Sequence, residues 1–191
     1  MAYRIEHRIG IATPAETIWE IVADVPGWAD WNPLYTSASG VIRIGETLRL
    51  TQALPGQKPE AIAPRVLDWV PYEQLHWFSS AGSGLVKAVR YIEIEKLDED
   101  SCIFSHGELY SGLLGAFVAK RMKGPIRAGF VAMSEALKAK AEAAYAAQPK
   151  AKKAKAPSQP LITEHPKPVA PLVSPVKSIM TPKPLYRPGA R

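Results

Sequence analysis

The places where this sequence could do chemistry are polar side chains that share a strand face with apolar ones. Tyr3, Ile5, His7 and Ile9 alternate with Arg4, Glu6, Arg8 and Gly10, which puts His7 on the apolar side of a period-two segment. In the same way Arg90 falls with Ala88, Ile92 and Ile94, and His106 and Glu108 fall with Cys102, Phe104 and Tyr110. Burying an unpaired polar group costs roughly 1 to 3 kcal/mol, so groups placed there need a partner or a task. If 86–97 and 101–110 form a hairpin turning at Asp98 to Asp100, Arg90 faces Glu108 and Ile92 faces His106. Two readings of that set stay open. Arg90, His106, Glu108 and His7 could form the polar end of a pocket that orients an amphipathic ligand, or that uses His106 or Glu108 as a general base toward an enolisable one. Alternatively, Arg90 and Glu108 form an internal ion pair and the histidines are satisfied by nearby hydroxyls or carbonyls. The expectation is the ion pair, with no catalytic residue assigned. A slip of one residue in register would reverse every face.

Other chemistry finds less support. Cys102 is the only cysteine, which excludes an internal disulfide, and no basic cluster near it in sequence would lower its pKa. The four histidines are scattered without metal-ligand spacing, so neither metal nor cofactor is expected. Gly82, Ser83 and Gly84 lie between two strand-like segments and lack the lysine and strand-to-helix setting of a phosphate loop. The five tryptophans, Trp19, Trp28, Trp31, Trp69 and Trp77, suit either a core or an aromatic wall against a ligand.

The elements that must position these residues can be read from punctuation. A first strand at Tyr3 to Ile11 is followed by Thr13, Pro14, Ala15 and Glu16, a capping-box pattern opening a helix with Ile18, Trp19, Ile21 and Val22, which Pro26 stops. GWADWN, 27–32, reads as a second helical turn. Turn signals then divide strands at 36–43, 47–53, 61–69, 73–80, 86–97 and 101–110, an antiparallel meander. Ser111 can cap a long helix over 112–146 with Leu114, Phe117, Val118, Met122, Ile126, Phe130, Met133 and Leu137 on one side and Pro125 as a kink. Its opening, GLLGAFVA, could be a membrane-touching lip, but the expectation is a packed helix start.

The 191 residues carry 24 Lys+Arg and 18 Asp+Glu, for a net charge of +6. Nine of the basic residues, ten of the 18 prolines and a single acid, Glu164, fall after Ala146, so the excess of positive charge belongs to the tail. One folded domain with a tail is expected: a body over 1–146, and a basic Pro/Lys/Ala-rich tail over 147–191 too poor in aromatics to order itself. The tail's AKKAKAP stretch could make weak nucleic-acid or anionic-membrane contact, and its PxxP spacings at Pro157 to Pro160 and Pro168 to Pro171 are weak signals. No apolar run approaches the roughly 18 to 20 residues of a membrane span, and the charged N-terminus is unlike a signal peptide, so a cytoplasmic protein is expected. Oligomeric state is not legible.

One strand, two short helices, six strands and a long helix form an α+β plan. In it, ATPAE with Thr17, Ile18 and Trp19, then WADWNP at 28–33, Pro64 to Leu67, and His106, Gly107 and Glu108 before Ser111 to Leu114 resemble the START-like superfamily of helix-grip proteins, also labelled SRPBCC or polyketide cyclase/dehydrase-like. The resemblance covers nearly all of the body and none of the tail. It implies a curved antiparallel sheet wrapped around the C-terminal helix, with a deep apolar cavity between them. Trp28 and Trp31 would sit at its mouth. Residues His7, Leu50, Trp77, Arg90, Phe104, His106, Glu108, Phe117, Ile126, Phe130 and Met133 would line it. It further implies binding of a small hydrophobic or amphipathic ligand, lipid- or polyketide-like. The alternatives are a cyclase or dehydratase acting on such a ligand, and an interaction protein recruited through the basic tail.

Overall fold

A computed structural model of the chain describes residues 2–148. The expected tail at 147–191 therefore lies outside the described residues, apart from 147 and 148.

Alternation makes the first strand what the pattern requires. In β1 (Tyr3–Ile11) the odd positions turn inward, Ile5 and Ile11 being buried, while Arg4 and Arg8 are exposed. It pairs antiparallel with β8 (Ser101–Ser111), Tyr3 opposite Tyr110 and His7 opposite His106. Between them in sequence come α1 (Ala15–Ala23), a 3-10 turn at Pro26–Asp30, and strands β2 (Tyr35–Ser39), β3 (Arg49–Gln52), β4 (Glu60–Ile62), β5 (Arg65–Val70), β6 (Gln74–Ala81) and β7 (Val86–Asp98). Five strands form one sheet in the order β1-β8-β7-β6-β5, and three form another in the order β2-β3-β4. Backbone bonds from Gly45 and Leu48 to Val66 and Pro64 carbonyls, both 2.9 Å, tie the segment before β3 to β5. Meander connections and a first strand beside the last give the curved sheet of an α+β helix-grip fold. Its concave side is covered by α2 (Gly115–Ala146).

The β7–β8 register matches the expected hairpin, with Arg90 opposite Glu108 and Ile92 opposite His106. Local expectations differ from the structure in several places, among them the strand expected over 36–43, which ends at Ser39. The strand expected over 61–69 is two, because Pro64 has no N–H to give a ladder and the chain breaks there; Leu48 uses its carbonyl instead. The expected capping box does not form: α1 starts at Ala15 after Pro14, without a side-chain cap, and the Thr13 hydroxyl is buried without a partner. Nor does Ser111 cap the long helix, whose N-cap is Leu114. Gly112, at φ +87°, turns the chain between β8 and that helix.

Along α2 the buried stripe is Ala119, Ile126, Phe130, Met133, Leu137 and Ala141. Pro125 lies within the helix and withdraws one backbone donor. At its far end Lys138 donates to the Gly10 carbonyl at 2.7 Å, and the Ala12 N–H donates to Glu142 at 2.9 Å, pinning the helix across the end of β1.

Candidate functional site

Three strands bring four polar side chains to one buried point. Arg90 on β7 and Glu108 on β8 are cross-strand partners, each 4 % exposed. Arg90 Nη2 donates to Glu108 Oε2 at 2.8 Å and Nη1 donates to the Tyr35 hydroxyl. The Tyr110 hydroxyl, two residues along the same face of β8, donates to Glu108 Oε2 at 2.6 Å. Both bonds to the carboxylate thus fall on one oxygen, and Oε1 receives none from the described residues. Arg90 Nε is buried without a partner, and the guanidinium lies over the Phe130 ring at 5.2 Å.

The electrostatics follow from the geometry. Burial works against the charge on Arg90, but Glu108, then the two tyrosines, outweigh it and raise the guanidinium pKa. Burial first, then the neighbouring Glu108 carboxylate, raises the Tyr110 hydroxyl; burial likewise raises Tyr35 against the opposing pull of Arg90. The cluster is therefore a neutral assembly of one cation, one anion and two protonated phenols.

Beside it opens a cavity of about 580 Å³. Its floor includes Arg90, Glu108, Tyr110 and Trp77; Ala88 and Val86 continue the sheet wall, and Val118, Met122 and Ile126 of α2 form the opposite wall. The β3–β4 hairpin and its approach supply a third side through Gln52, Leu54, Ile62 and Arg65.

Of the residues singled out in the sequence, Trp77, Arg90, Glu108 and Ile126 line this cavity together. The others lie elsewhere. Trp28 is fully buried behind the wall, stacked on Tyr35 at 5.3 Å, with its indole N–H donating to the Val22 carbonyl at 3.0 Å. Trp31 is half-buried against the core, and Leu50, Phe104, Phe130 and Met133 belong to the core. Phe117 is 69 % exposed, against its expected place on the packed stripe. His106 lies one inward position deeper than Glu108, its ring 4.2 Å from that of Phe130, and neither nitrogen has a protein partner. Burial, then Arg90 and His7, holds its pKa well below the ordinary imidazole value, so it is a neutral ring. His7 stands opposite it on β1 with a buried, unpartnered Nδ1. Cys102 is buried, and burial followed by Glu16 pushes its thiol up to about 11. Among the described residues, no three His, Cys, Asp or Glu side chains come together as a metal site.

The two tyrosines are the members that the sequence reading left out. Tyr110 carried a signal, being two residues from Glu108 on an alternating strand. Tyr35 carried none, because it reaches Arg90 across 55 residues of chain.

The sequence profile of the family described as polyketide cyclase / dehydrase and lipid transport matches residues 2–142, the whole of the sheet and most of α2. The chain belongs to this family. Solved structures of the START/SRPBCC superfamily share its fold. The Zhui aromatase/cyclase from Streptomyces sp. R1128 is 18 % identical, with a TM-score of 0.61 over 74 % of this chain and 94 % of that one. A START superfamily protein from Mycobacterium smegmatis is 22 % identical, with a TM-score of 0.59 over 74 % and 98 %. Norcoclaurine synthase from Thalictrum flavum is 18 % identical, with a TM-score of 0.55 over 73 % and 86 %. No curated protein matches at the sequence level. At these identities the likeness is one of fold, and the family is one built to hold hydrophobic ligands.

Proposed function

We propose that the chain binds a small hydrophobic or amphipathic molecule, lipid- or polyketide-like, in the cavity between the sheet and α2. The observation that carries the reading is a space of about 580 Å³ in which Trp77, Ala88, Val118, Met122 and Ile126 give apolar surface beside the Arg90–Glu108–Tyr110 cluster, with further polar side chains at Gln52, Glu60, Arg65, Ser79 and Ser80. That volume is within the roughly 300 to 1,000 Å³ typical of small-molecule sites. The polar end favours a neutral ligand. Arg90 is already neutralised by Glu108, so an incoming carboxylate gains no free cation there, whereas Glu108 Oε1 can accept a bond from a hydroxyl.

A cyclase or dehydratase using Glu108 or His106 as a base is the competing reading. Glu108 is already engaged by Arg90 and Tyr110, and a proton taken up there would leave the buried Arg90 charge without its partner. His106 would need a path past Glu108 to meet a cavity ligand. Recruitment through the basic tail concerns residues outside the described ones.

The test is the affinity of N-phenylnaphthylamine, a neutral apolar probe, for the full chain and for Ala88→Phe and Met122→Trp, which fill the cavity from opposite walls. Each is expected to weaken probe binding by about tenfold or more while the thermal transition remains cooperative. Unchanged affinity in both variants, or no binding to the native chain, would sink the reading. Native mass spectrometry followed by solvent extraction would identify a co-purifying ligand.

A further inference from the structure

Where β8 passes into α2, the helix entry leaves its apolar side chains uncovered. Leu113 is 84 % exposed, Phe117 69 %, and Leu114 and Leu85 43 % each. Of the GLLGAFVA segment expected to be packed, only Gly115 and Ala119 are buried. The two segments meet at Leu85: the Leu114 N–H donates to its carbonyl at 3.0 Å, and a Cβ on Gly112 would come within 2.5 Å of the same oxygen. The patch also adjoins the cavity, since Val86 and Val118, the neighbours of Leu85 and Phe117 in sequence, line it.

The rim of this patch is basic. Lys87, Lys120, Arg121 and Lys123 are all exposed. The two segments that build it, 74–92 and 109–134, contain no Asp or Glu. The acids on the cavity lining are Glu108, paired with Arg90, and Glu60 of β4. Singly exposed apolar residues need no explanation, but a contiguous group at one end of a fold marks a contact surface.

We propose that this lip docks on a membrane surface bearing anionic lipid, with Leu113 and Phe117 entering the boundary between headgroups and acyl chains and the four cations facing lipid phosphates. Charge selects this occupant. An apolar tip on segments that carry exposed Lys and Arg and no acid is the arrangement by which interfacial segments combine burial of apolar area with attraction to an anionic leaflet. The docking does not depend on the cavity's being occupied.

The experiment is flotation of the full chain with vesicles of phosphatidylcholine alone and with phosphatidylserine added, comparing the native sequence with the double variant Leu113→Ser/Phe117→Ser. Both side chains are largely in solvent, so the fold is expected to survive. The double variant should bind anionic vesicles about tenfold or more weakly. The lysines beyond Ala146 could hold the chain to such vesicles by charge alone, so a second readout is needed. Phe117→Cys labelled with an environment-sensitive dye should shift to the blue on anionic vesicles; Cys102 is buried and will not compete for label in the folded chain. Equal binding by the native and double-Ser chains, absence of a dye shift, or no binding to anionic vesicles would overturn the proposal, leaving a protein surface as the occupant to seek. N-phenylnaphthylamine binding without vesicles should be unchanged in the double-Ser variant, so the cavity and the lip can fail independently.

Discussion

The concave side of the sheet has two halves built from the same strands, and they are finished differently. Toward the end of β8, Glu108 and Tyr110 meet Arg90 beside a hollow walled by Val118, Met122 and Ile126. Toward its start, Cys102, Phe104 and His106 are buried in the core that Phe130, Met133 and Leu137 complete. The hollow half keeps its charges by pairing them. The packed half keeps a polar ring with no hydrogen-bond partner by holding it neutral. Burial therefore has opposite consequences for Arg90 and His106, two positions apart in register, and the difference lies in whether a counter-charge is within reach.

The strongest way to break this contrast is to truncate one aromatic in the packed half. Phe130→Ala removes a fully buried ring and should cost about 3 to 5 kcal/mol in denaturant unfolding, whereas Met122→Ala, on the cavity wall, should cost about 1 kcal/mol or less. Equal losses would mean that the hollow is as closely packed as the core. Next comes the ion pair. Arg90→Leu alone leaves Glu108 buried and uncompensated and should cost roughly 3 kcal/mol, while Arg90→Leu with Glu108→Leu should recover most of that loss. A double variant as unstable as the single would mean that the tyrosines, rather than the pair, hold the cluster together.

The smallest effect is in acid. The unfolded chain protonates His106 near its ordinary value of 6.5, but the folded one does not, so stability is complete above that pH and declines as pH falls below it. His106→Phe should flatten the decline by up to about 1.4 kcal/mol per pH unit over that window. An unaltered pH profile would show that the ring is protonated as readily in the fold as out of it.

The strand faces were legible because side chains alternate with a period of two, so one buried residue places every second neighbour. That sufficed for Arg90 opposite Glu108 and for Tyr110, which stands two residues from a residue already placed inward. It did not suffice for the helix stripe. Steps of three and four drift round a helix when repeated: Phe117 stands nine residues before Ile126, about half a turn away, and Leu114 about a third of a turn, so both fall off the buried stripe of Ala119, Ile126 and Phe130. Trp28 and Trp31 show a different gap. An aromatic residue in the short helical region reads alike as wall or as core, and only the ring stacked on Tyr35 and the indole bond to Val22 assign Trp28.

What the sequence determined by itself was local or pairwise: strand alternation, the hairpin between β7 and β8, the break at Pro26 and the length of the last helix. Each depends on a backbone preference or on a contact between residues joined by a short turn. What the tertiary structure decided was where space is left over. A cavity is the volume that several distant elements fail to fill. Its outline at Gln52, Trp77, Glu108 and Met122, and the closing contact of Tyr35 on Arg90, depend on the curvature of the sheet and the placement of α2, which no short stretch of chain encodes.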